Sequence, residues 1–275
     1  MYQTISELLN RRGISLVAPI TLESCRITRP YLLERAGIST GTAFMFAVPY
    51  YTTKCDDPAR NISAYAVSGD YHLFFKQLFA EILPLLQEAF PGVRFAGFTD
   101  HSPIAEADAA VRAGLGFFGC NHLFLTTRYS SFVFLGEIIT DRVIDAPAHP
   151  IATCPACGAC QKACPVALDS ALCLSALTQK KGELCEQERA ALLSQKSVWG
   201  CDLCQEACPI TLKAKQEGTI YSKIPFFTET AIPHLTKEAV EAMDDACFSA
   251  RAYSWRGRSV ILRNLTLKER SKSQK

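Results

Sequence analysis

The sequence predicts a mixed α/β (α+β) fold with a smaller cysteine-rich domain, and three observations lead to this prediction. The chain has 275 residues, of which 48% are hydrophobic, so it can bury a large core. Its first part alternates between helical and strand patterns. Seven cysteines then fall into two runs between residues 154 and 208. We therefore expect an α/β domain at 1–148, a cysteine-rich domain at 149–215, and a mostly helical segment at 216–275 that packs on the first domain and ends in a basic tail.

Three strands are predicted in the first domain. Residues 41–51 read GTAFMFAVPYY, a continuous apolar run that is typical of a strand buried on both faces. Residues 93–99 and 132–140 have shorter patterns of the same kind. The core positions of the first strand would be Ala43, Phe44, Phe46 and Val48.

One long helix is predicted between the first two of these strands. Apolar residues recur at helical spacing over residues 71–90, and Pro84 should kink the helix because it lacks a backbone N–H. Two prolines then mark residues 147–150 as the linker into the cysteine-rich domain. The apolar face of the helix would consist of Phe74, Leu78, Ile82, Leu85, Leu86 and Ala89.

The two cysteine runs have the spacing of iron–sulfur ligands. The first reads Cys-x2-Cys-x2-Cys-x3-Cys-Pro from Cys154 to Pro165, which is the bacterial ferredoxin pattern. In that pattern three thiolates bind one [4Fe–4S] cluster and the fourth binds a second cluster. The second run, from Cys201 to Pro209, has one cysteine fewer. Cys173, on a helical stretch between the runs, is the natural eighth ligand.

Crossed ligation divides the eight thiolates between two clusters and predicts one-electron transfer as the role of this domain. Zinc is an alternative because paired Cys-x2-Cys knuckles also make tetrahedral sites, but zinc sites rarely use a tight triplet followed by Cys-Pro. Disulfides are less expected, because nothing in the sequence indicates export. The first cluster would take Cys154, Cys157, Cys160 and Cys208, and the second Cys164, Cys173, Cys201 and Cys204.

The composition indicates a cytoplasmic protein. Thirteen cysteines in a chain of this size suit a reducing compartment and metal binding. Residues 1–20 contain no signal sequence, and no apolar run approaches the roughly 20 residues needed to span a bilayer. We therefore expect no membrane contact, and we expect a monomer. Ordinary thiols are expected at the cysteines without ligand spacing, which are Cys25, Cys55, Cys185 and Cys247.

Positive charge is concentrated at the C-terminal end. Residues 251–275 hold eight Lys or Arg residues and one acid, whereas the rest of the chain has a net negative charge. A basic end can attract phosphate or RNA, although a solvated terminus is the more common reading for the last eight residues. The segment Trp255-Arg256-Gly257-Arg258 lies among apolar residues and is less typical of a tail.

Asp100 lies at the end of the strand predicted at 93–99, just before a helix. Ser102 and Pro103 have the residue types of an N-cap and a first helical position, and Gly114 is placed to end the helix. A carboxylate at such a place can point into a cleft. On these grounds alone, a turn or capping role is the more common one.

A glycine-rich segment follows this helix. Gly114, Gly116 and Gly119 spell G-x-G-x-x-G, but the dinucleotide fingerprint must follow a strand and open a helix, whereas this segment closes one. The sequence therefore excludes a dinucleotide site here. The glycines either let the backbone approach a large flat cofactor or form tight turns.

The order of these motifs resembles that of the epoxyqueuosine reductases, which complete the queuosine modification of tRNA. The shared pieces cover about residues 43 to 265 in the family's order and include both cysteine runs. The other pieces are Tyr65-Ala66-x-x-Gly69-Asp70-Tyr71-His72, Asp100-x-x-Pro103-x-x-Glu106, Arg112-Ala113-Gly114-Leu115-Gly116-x-x-Gly119-x-Asn121, Phe134-Leu135-Gly136-Glu137-Ile138-x-Thr140-Asp141, and Trp255-Arg256-Gly257 with Arg263-Asn264.

The resemblance implies a cobalamin bound in a nitroreductase-like α/β domain, together with a two-cluster bacterial-ferredoxin-like module that reduces the cobalt. The family reduces an epoxide to an alkene, which needs two electrons and two protons. By this resemblance Asp100 would be the catalytic acid, and an electron donor of flavodoxin or ferredoxin type would supply the clusters. The residues that line the corrin would be Tyr71, His72, Gly114, Gly116, Gly119 and Asn121.

Two departures from the family limit what the resemblance implies. Cys120 stands where the family usually has a basic residue, and we expect a small buried side chain there. The sequence also ends soon after Asn264, without the helical repeats that help the family to grip tRNA, so tRNA binding is left open.

The sequence alone is compatible with three functions. The chain is a cobalamin-dependent reductase of epoxyqueuosine or another electrophile, a non-catalytic ferredoxin-like electron carrier, or a corrinoid-binding and corrinoid-reducing protein. The presence of Asp100, of Tyr71-His72 and of the glycine-rich segment favours the first or the third function over the second.

Overall fold

The polypeptide folds as two units, each of which joins segments that are distant in sequence. The computed structural model describes residues 1–144 and 151–273. The predicted linker at 147–150 therefore lies outside the described residues, and the domain boundaries predicted after residues 148 and 215 remain predictions. The first unit consists of Met1–Pro49 and His72–Cys157, and the second of Tyr50–Tyr71 and Gly158–Lys275.

Helices and strands alternate in the first unit, as the sequence predicts. Its helices are α1 (Tyr2–Asn10), α2 (Pro30–Ala36), α3 (Tyr71–Ala89) and α4 (Glu106–Arg112). Its strands are β1 (Leu16–Thr21), β2 (Thr42–Pro49), β3 (Phe95–Phe98), β4 (Phe117–Phe118), β5 (Phe124–Leu125) and β6 (Val133–Thr140). Strands β1, β2, β6 and β3 pair in this order into an antiparallel sheet, while β4 and β5 form a separate hairpin. The predicted mixed fold class is confirmed.

Strand β2 is buried on both faces, as its continuous apolar sequence predicts. Every residue from Thr42 to Pro49 is buried. Met45 and its neighbours on one face join a core that includes Ala109 of α4. On the opposite face Phe46 packs against Phe75 of α3, with ring centroids 6.0 Å apart. Helices therefore cover both faces of the sheet.

Two strand glycines let α3 approach the sheet closely. Phe75 lies against Gly136 of β6, where a β-carbon would come within 2.3 Å of the Phe75 ring. Phe79 lies in the same way against Gly97 of β3, again at 2.3 Å. Because β-carbons do not approach other atoms so closely, any other residue at either position would push α3 away from the sheet.

The predicted elements agree with the structure, with corrections at their edges. The three predicted strands are β2, β3 and β6, and the helix predicted at 71–90 is α3, which continues through Pro84. Burial of Leu85 and Ala89 is wrong, because both lie on the solvent side of the helix, where Leu85 is 41% exposed. The buried face consists of Phe74, Phe75, Leu78, Ile82 and Leu86.

Helix α4 begins at Glu106, later than predicted. Ser102 is fully buried, and its hydroxyl accepts a hydrogen bond from the backbone N–H of Ile104 at 3.1 Å, so it stabilises a turn instead of a helix end. The prediction that Ser102 and Pro103 begin the helix is therefore wrong. Gly114 follows the helix with a φ of 76°, as expected for a residue that ends one.

The second unit is helical in its described part. Trp199 lies at its centre, where it packs edge-on against Tyr253 and donates its indole N–H to the hydroxyl of Tyr65 at 2.8 Å. Within residues 1–144 and 151–273, no helix is both long and apolar enough to cross a membrane. The helices of this unit are α5 (Ala159–Ala163), α6 (Leu174–Thr178), α7 (Glu186–Leu193), α8 (Leu203–Glu206), α9 (Pro209–Gln216), α10 (Pro225–Glu229), α11 (Lys237–Ala242), α12 (Asp245–Ser249) and α13 (Arg258–Ser273).

Buried polar side chains join distant segments of this second unit. The side-chain amide of Asn264 donates to the carbonyl oxygens of Thr178 at 2.7 Å and Val198 at 2.8 Å. The guanidinium of Arg251 donates to two more carbonyl oxygens, including that of Val67 at 2.5 Å. Since buried carbonyl groups are costly without a donor, these side chains supply the bonds that strands supply elsewhere.

Part of the positive charge in 251–275 is used inside the fold. Arg263 donates to the carbonyl oxygen of Lys180 at 2.8 Å, just after α6. Lys268 donates to the carbonyl oxygen of Leu192 at 2.5 Å, in the last turn of α7. Carbonyl groups at helix C-termini carry partial negative charge, so cations there are stabilising. The solvated-tail reading is therefore wrong for Lys268, and helix α13 continues to Ser273.

Asn264→Ala is expected to lower the free energy of unfolding by about 2–4 kcal/mol, because it leaves two buried carbonyl groups without a donor. The measurement is urea unfolding followed by circular dichroism. Asn10→Ala, at an exposed position of α1, is the matched control and should change the free energy by less than about 0.5 kcal/mol. Equal midpoints for the two variants would contradict the role of Asn264.

Candidate functional site

Asp100 occupies the turn between β3 and α4, next to His72 in the first turn of α3. Its backbone has a φ of 58°, in the left-handed region that residues other than glycine rarely adopt. Oδ2 of Asp100 lies 3.2 Å from Nε2 of His72, and both side chains are more than half exposed. The structure therefore brings two of the predicted site residues together at the end of a strand; their roles remain predictions.

Two further carboxyl groups lie behind Asp100. The backbone N–H of Asp100 donates to Oε1 of Glu106 at 3.0 Å. Glu137 is fully buried in β6, where it pairs with Phe98 of β3. The polar neighbours of Glu137 are Glu106 and Ser102. Three carboxyl groups therefore gather at the end of β3, one exposed and the others shielded from water.

Burial raises the pKa of both glutamates. Removal from water raises the pKa of Glu137 well above its usual range, and repulsion by Glu106 adds to this effect. Burial also raises the pKa of Glu106 to about 7, with Asp100 adding to the rise and Arg29 opposing it. The two glutamates titrate as a pair, and burial of both shifts the pair toward its protonated forms.

Gly116, Gly119 and Asn121 lie in the tight hairpin of β4 and β5. A β-carbon on Gly116 would lie 2.1 Å from the carbonyl oxygen of Leu125. A β-carbon on Gly119 would lie 2.5 Å from Oδ1 of Asn121. The glycines are thus required where the two strands meet, which agrees with the tight-turn reading. The segment follows α4 and opens no helix, so the exclusion of a dinucleotide site stands.

The second unit brings cysteines of the predicted second cluster into one neighbourhood. Burial raises the pKa of Cys201 to about 11, and the charges of Asp202, Cys173 and Cys164 add to the rise. Cys173 and Cys164 therefore both lie within electrostatic reach of Cys201. Cys204 follows on α8, close to Cys201 in the chain.

Across the described ranges, which omit residues 145–150 and 274–275, no three Cys, His, Asp or Glu side chains are close enough to hold one metal ion. A structural zinc ion requires such a group. A [4Fe–4S] cluster has a different requirement, because each iron takes one thiolate and the ligands stand apart around the cube. The cysteine spacing therefore remains the basis for choosing clusters over zinc.

A buried carboxylate holds the loop of the second cysteine run. Asp202 is 6% exposed and accepts hydrogen bonds from the hydroxyl of Ser63 at 2.5 Å and the backbone N–H of Ala64 at 2.7 Å. Arg60 donates to the same carboxylate at 2.7 Å and also pairs with Glu206 of α8. A buried charge is tolerated when it has such partners. This loop is therefore fixed to residues 60–64.

Cys154, the first cysteine of the first run, lies beside Cys120 in the first unit. Their Sγ atoms are 3.7 Å apart. Hydrogen bonds from the backbone N–H of Ala156 and from Cys120 lower the pKa of Cys154. Cys120 is exposed at the tip of the β4–β5 hairpin, so the prediction that it is buried is wrong. The hairpin turn directs this position outward.

The cysteines without ligand spacing show no sign of activation. Burial raises the pKa of Cys25 and of Cys55 to about 11, which disfavours the reactive thiolate. Cys185 and Cys247 are exposed. These positions agree with the expectation of ordinary thiols.

Curated proteins of similar sequence include epoxyqueuosine reductases. The epoxyqueuosine reductase of Listeria monocytogenes is 36% identical over 153 residues, which is 52% of this chain and 39% of the relative. The enzyme of Gloeobacter violaceus is 32% identical over 213 residues, which is 72% of this chain and 65% of the relative. The chain is a homologue of the epoxyqueuosine reductases. It spans less than two thirds of the length of either relative. No protein-family model matches the sequence.

Solved epoxyqueuosine reductases share the fold of this chain. The structure from Streptococcus thermophilus has a TM-score of 0.74 at 22% identity and covers 97% of this chain and 80% of its own. A complex with an epoxyqueuosine-modified tRNA-Tyr stem loop has a TM-score of 0.72 at 23% identity, with coverages of 97% and 81%. The Bacillus subtilis enzyme, solved with its catalytic aspartate loop swung out of the active site, has a TM-score of 0.71 at 22% identity, again with coverages of 97% and 81%.

Sequence reasoning gave no role to Glu106, Glu137 or Asp202. The two glutamates belong to motifs shared with the epoxyqueuosine reductases, and Glu137 carried a signal of its own. It stands inside the apolar run FVFLGEIIT of residues 132–140, where an acid is buried only in a special environment. Asp202 carried no such signal, because its partner Ser63 is 139 residues away in the chain.

Glu137→Gln is expected to reduce the loss of stability between pH 5 and pH 8. A carboxyl group whose pKa is raised by folding contributes stability below its unfolded pKa, near 4.5, and this stability is lost as the pH rises through the folded value. In the wild type the pair loses a proton near pH 7, the value to which burial raises the pKa of Glu106. The measurement is the urea midpoint at pH 5, 6.5 and 8.

The matched control is Glu88→Gln, at an exposed position of α3. Its stability should follow that of the wild type at every pH, because the substitution leaves the buried pair intact. If the curve of Glu137→Gln also runs parallel to that of the wild type, the buried pair does not retain a proton.

Proposed function

We propose that this chain reduces an epoxide on a tRNA nucleoside to an alkene, as an enzyme of the epoxyqueuosine reductase type. The observation that carries the proposal is the pairing of Asp100 with His72 at 3.2 Å, exposed on a fold that those enzymes share. Loss of the epoxide oxygen as water consumes two electrons and two protons. The protein must therefore combine an electron relay with a positioned acid.

Two [4Fe–4S] clusters would form the electron relay. The neighbourhood of Cys164, Cys173 and Cys201 supports the second cluster, and the ferredoxin spacing supports the first. The proposed ligands are Cys154, Cys157, Cys160 and Cys208 for the first cluster, and Cys164, Cys173, Cys201 and Cys204 for the second.

A cobalamin on the first unit would be the group that meets the substrate. The β4–β5 hairpin exposes the apolar side chains of Phe118 and Leu123, which suit contact with an organic macrocycle. When bound, the clusters and the cobalamin supply the electrons, and the protein supplies binding and protons. The proposed cobalamin contacts are Tyr71, His72, Gly114, Gly116, Gly119 and Asn121.

Asp100 would donate a proton to the oxygen that leaves the substrate. Its exposed carboxyl group is accessible, and Nε2 of His72, 3.2 Å from Oδ2, can hold the proton that replaces the one donated. The Bacillus subtilis enzyme carries its catalytic aspartate on a loop, which supports this role for Asp100.

The proposed substrate sets the partners and the location. The relative solved with a modified tRNA stem loop supports tRNA as the partner that carries the substrate. An electron donor of flavodoxin or ferredoxin type would reduce the clusters, because the reaction consumes electrons that the chain does not generate. A tRNA substrate would support a cytoplasmic location.

Anaerobic reconstitution with iron and sulfide should yield about eight irons per chain, as two [4Fe–4S] clusters require. Cys173→Ala should yield about four, because it removes a ligand of the second cluster alone. Cys185→Ala, which removes a nearby exposed cysteine without ligand spacing, should retain the wild-type content. The measurements are iron and sulfide analysis with EPR of the reduced protein. Unchanged iron in Cys173→Ala would exclude it as the eighth ligand.

Asp100→Asn should lower turnover of an epoxyqueuosine-containing tRNA stem loop at least about 100-fold, because it removes the acid. Asparagine tolerates left-handed backbone, so the turn should persist and cobalamin affinity should remain unchanged. Asp108→Asn on α4 is the matched control and should keep wild-type turnover. The measurements are nucleoside chromatography after digestion of the RNA, and absorbance titration with cobalamin.

The outcomes separate the remaining alternatives. A wild-type chain with both clusters but no affinity for cobalamin is an electron carrier. A chain that binds and reduces cobalamin without turnover is a corrinoid-handling protein. Either result refutes the proposed function.

A further inference from the structure

Glu106 and Glu137 have no role in the proposed reaction. Glu106 is the first residue of α4, and Glu137 lies in β6 opposite Phe98 of β3. Glu137 is fully buried within an apolar sheet. Burying a carboxyl group in such a place is costly, so its presence requires a physical explanation.

Glu106 accepts a hydrogen bond from the backbone of Asp100. With a φ of 58°, Asp100 holds a conformation that is unfavourable for a residue with a β-carbon. Its N–H donates to Oε1 of Glu106 at 3.0 Å. This bond offsets the strain and fixes the direction in which the Asp100 side chain leaves the backbone, toward Nε2 of His72.

The charged groups around the two glutamates are mostly negative. Arg29 is the cation that faces Glu106, and it opposes the negative charges of Asp100 and of the pair itself. One cation does not balance these charges, and burial together with repulsion by Glu106 raises the pKa of Glu137. The groups that face the pair are Asp100, Arg29, Ser102 and Cys25, with Arg112 and Asp108 next to Cys25.

We propose that Glu106 is a positioning residue for Asp100, acting through the hydrogen bond that it accepts from the Asp100 N–H. An ionised Glu106 accepts a stronger hydrogen bond from the Asp100 N–H than a neutral one does. A neutral Glu137 avoids a second buried negative charge next to Glu106. This positioning role rests on the proposed function, because it presumes that Asp100 is the catalytic acid. The hydrogen bond between the Asp100 N–H and Glu106 does not depend on the reaction.

This arrangement makes the turn respond to pH. Burial raises the pKa of Glu106 to about 7, so the bond from the Asp100 N–H should strengthen as the pH rises through that value. A stronger bond to a carboxylate shifts the amide proton downfield and protects it from exchange. The Asp100 amide is therefore a direct probe of Glu106.

The experiment follows this amide by NMR in the full, isotope-labelled chain under anaerobic conditions. In the wild type its proton shift should titrate between pH 5 and 9, with a midpoint near that of Glu106. Glu106→Gln should remove the part of the titration that Glu106 causes, leaving only that of neighbouring groups such as His72, but should retain protection, because the amide oxygen still accepts a bond. Glu106→Ala should remove the same part of the titration and speed hydrogen exchange of this amide at least about tenfold.

Kinetics on the modified stem loop give the second measurement. Glu106→Ala should lower kcat about tenfold with KM changed less than about twofold, because Asp100 loses its place but substrate contacts remain. Glu106→Gln should restore most of kcat. The matched control is Glu188→Ala, since Glu188 also accepts a backbone N–H, that of Cys185 at 2.9 Å, and it should leave both kcat and the Asp100 amide unchanged.

An Asp100 amide that does not titrate in the wild type, or that stays equally protected in Glu106→Ala, overturns the proposal. If Glu106→Ala does not fold, the wild-type titration and its reduction in Glu106→Gln decide the matter. The amide measurement needs no substrate. A wild-type chain with a titrating amide but no turnover therefore refutes the proposed function while supporting the positioning by Glu106.

Discussion

The buried carboxylate of Asp202 is the interaction on which the cysteine-rich part of the chain depends. It joins the loop that carries Cys201 to the segment containing Arg60 and Ser63, and its charge is matched by donors from that segment. Because Asp202 directly follows Cys201, the same bonds fix where that thiol lies. A short loop with little regular structure thereby gains a defined position.

The two units provide hydrogen-bond partners for their buried backbone groups in different ways. In the first unit, backbone N–H and C=O groups pair with each other between the strands β1, β2, β6 and β3 of one sheet. In the second unit, buried side chains such as Arg251 and Asn264 reach across to carbonyl groups of distant loops. Side-chain amides and guanidinium groups can do this because each offers several donors. Basic residues near the C-terminus thus stabilise the fold by hydrogen bonding, in addition to contributing positive charge to the surface.

Local patterns predicted what depends on neighbours in sequence, and failed where distant segments meet. The strand β2, the helix α3 and the position of Asp100 follow from hydrophobic periodicity and strand ends. Cys120 was placed wrongly because its exposure depends on the β4–β5 hairpin. The pairing of Glu106 with Glu137 joins a helix to a strand in the middle of the sheet, which no local pattern describes. Cluster ligation stays a prediction, because it rests on cysteine spacing alone.

The contact of Phe75 with Gly136 has a consequence for the geometry of the candidate site. The ring lies where a β-carbon would otherwise be, and this sets the rotation of α3 about its axis relative to β6. Each residue of an α-helix advances the direction of its side chains by about 100°, so a shift of register by one position would turn His72 away from Asp100. The close approach of Phe75 to Gly136 thus also determines the direction of the imidazole of His72, which lies at the start of the same helix.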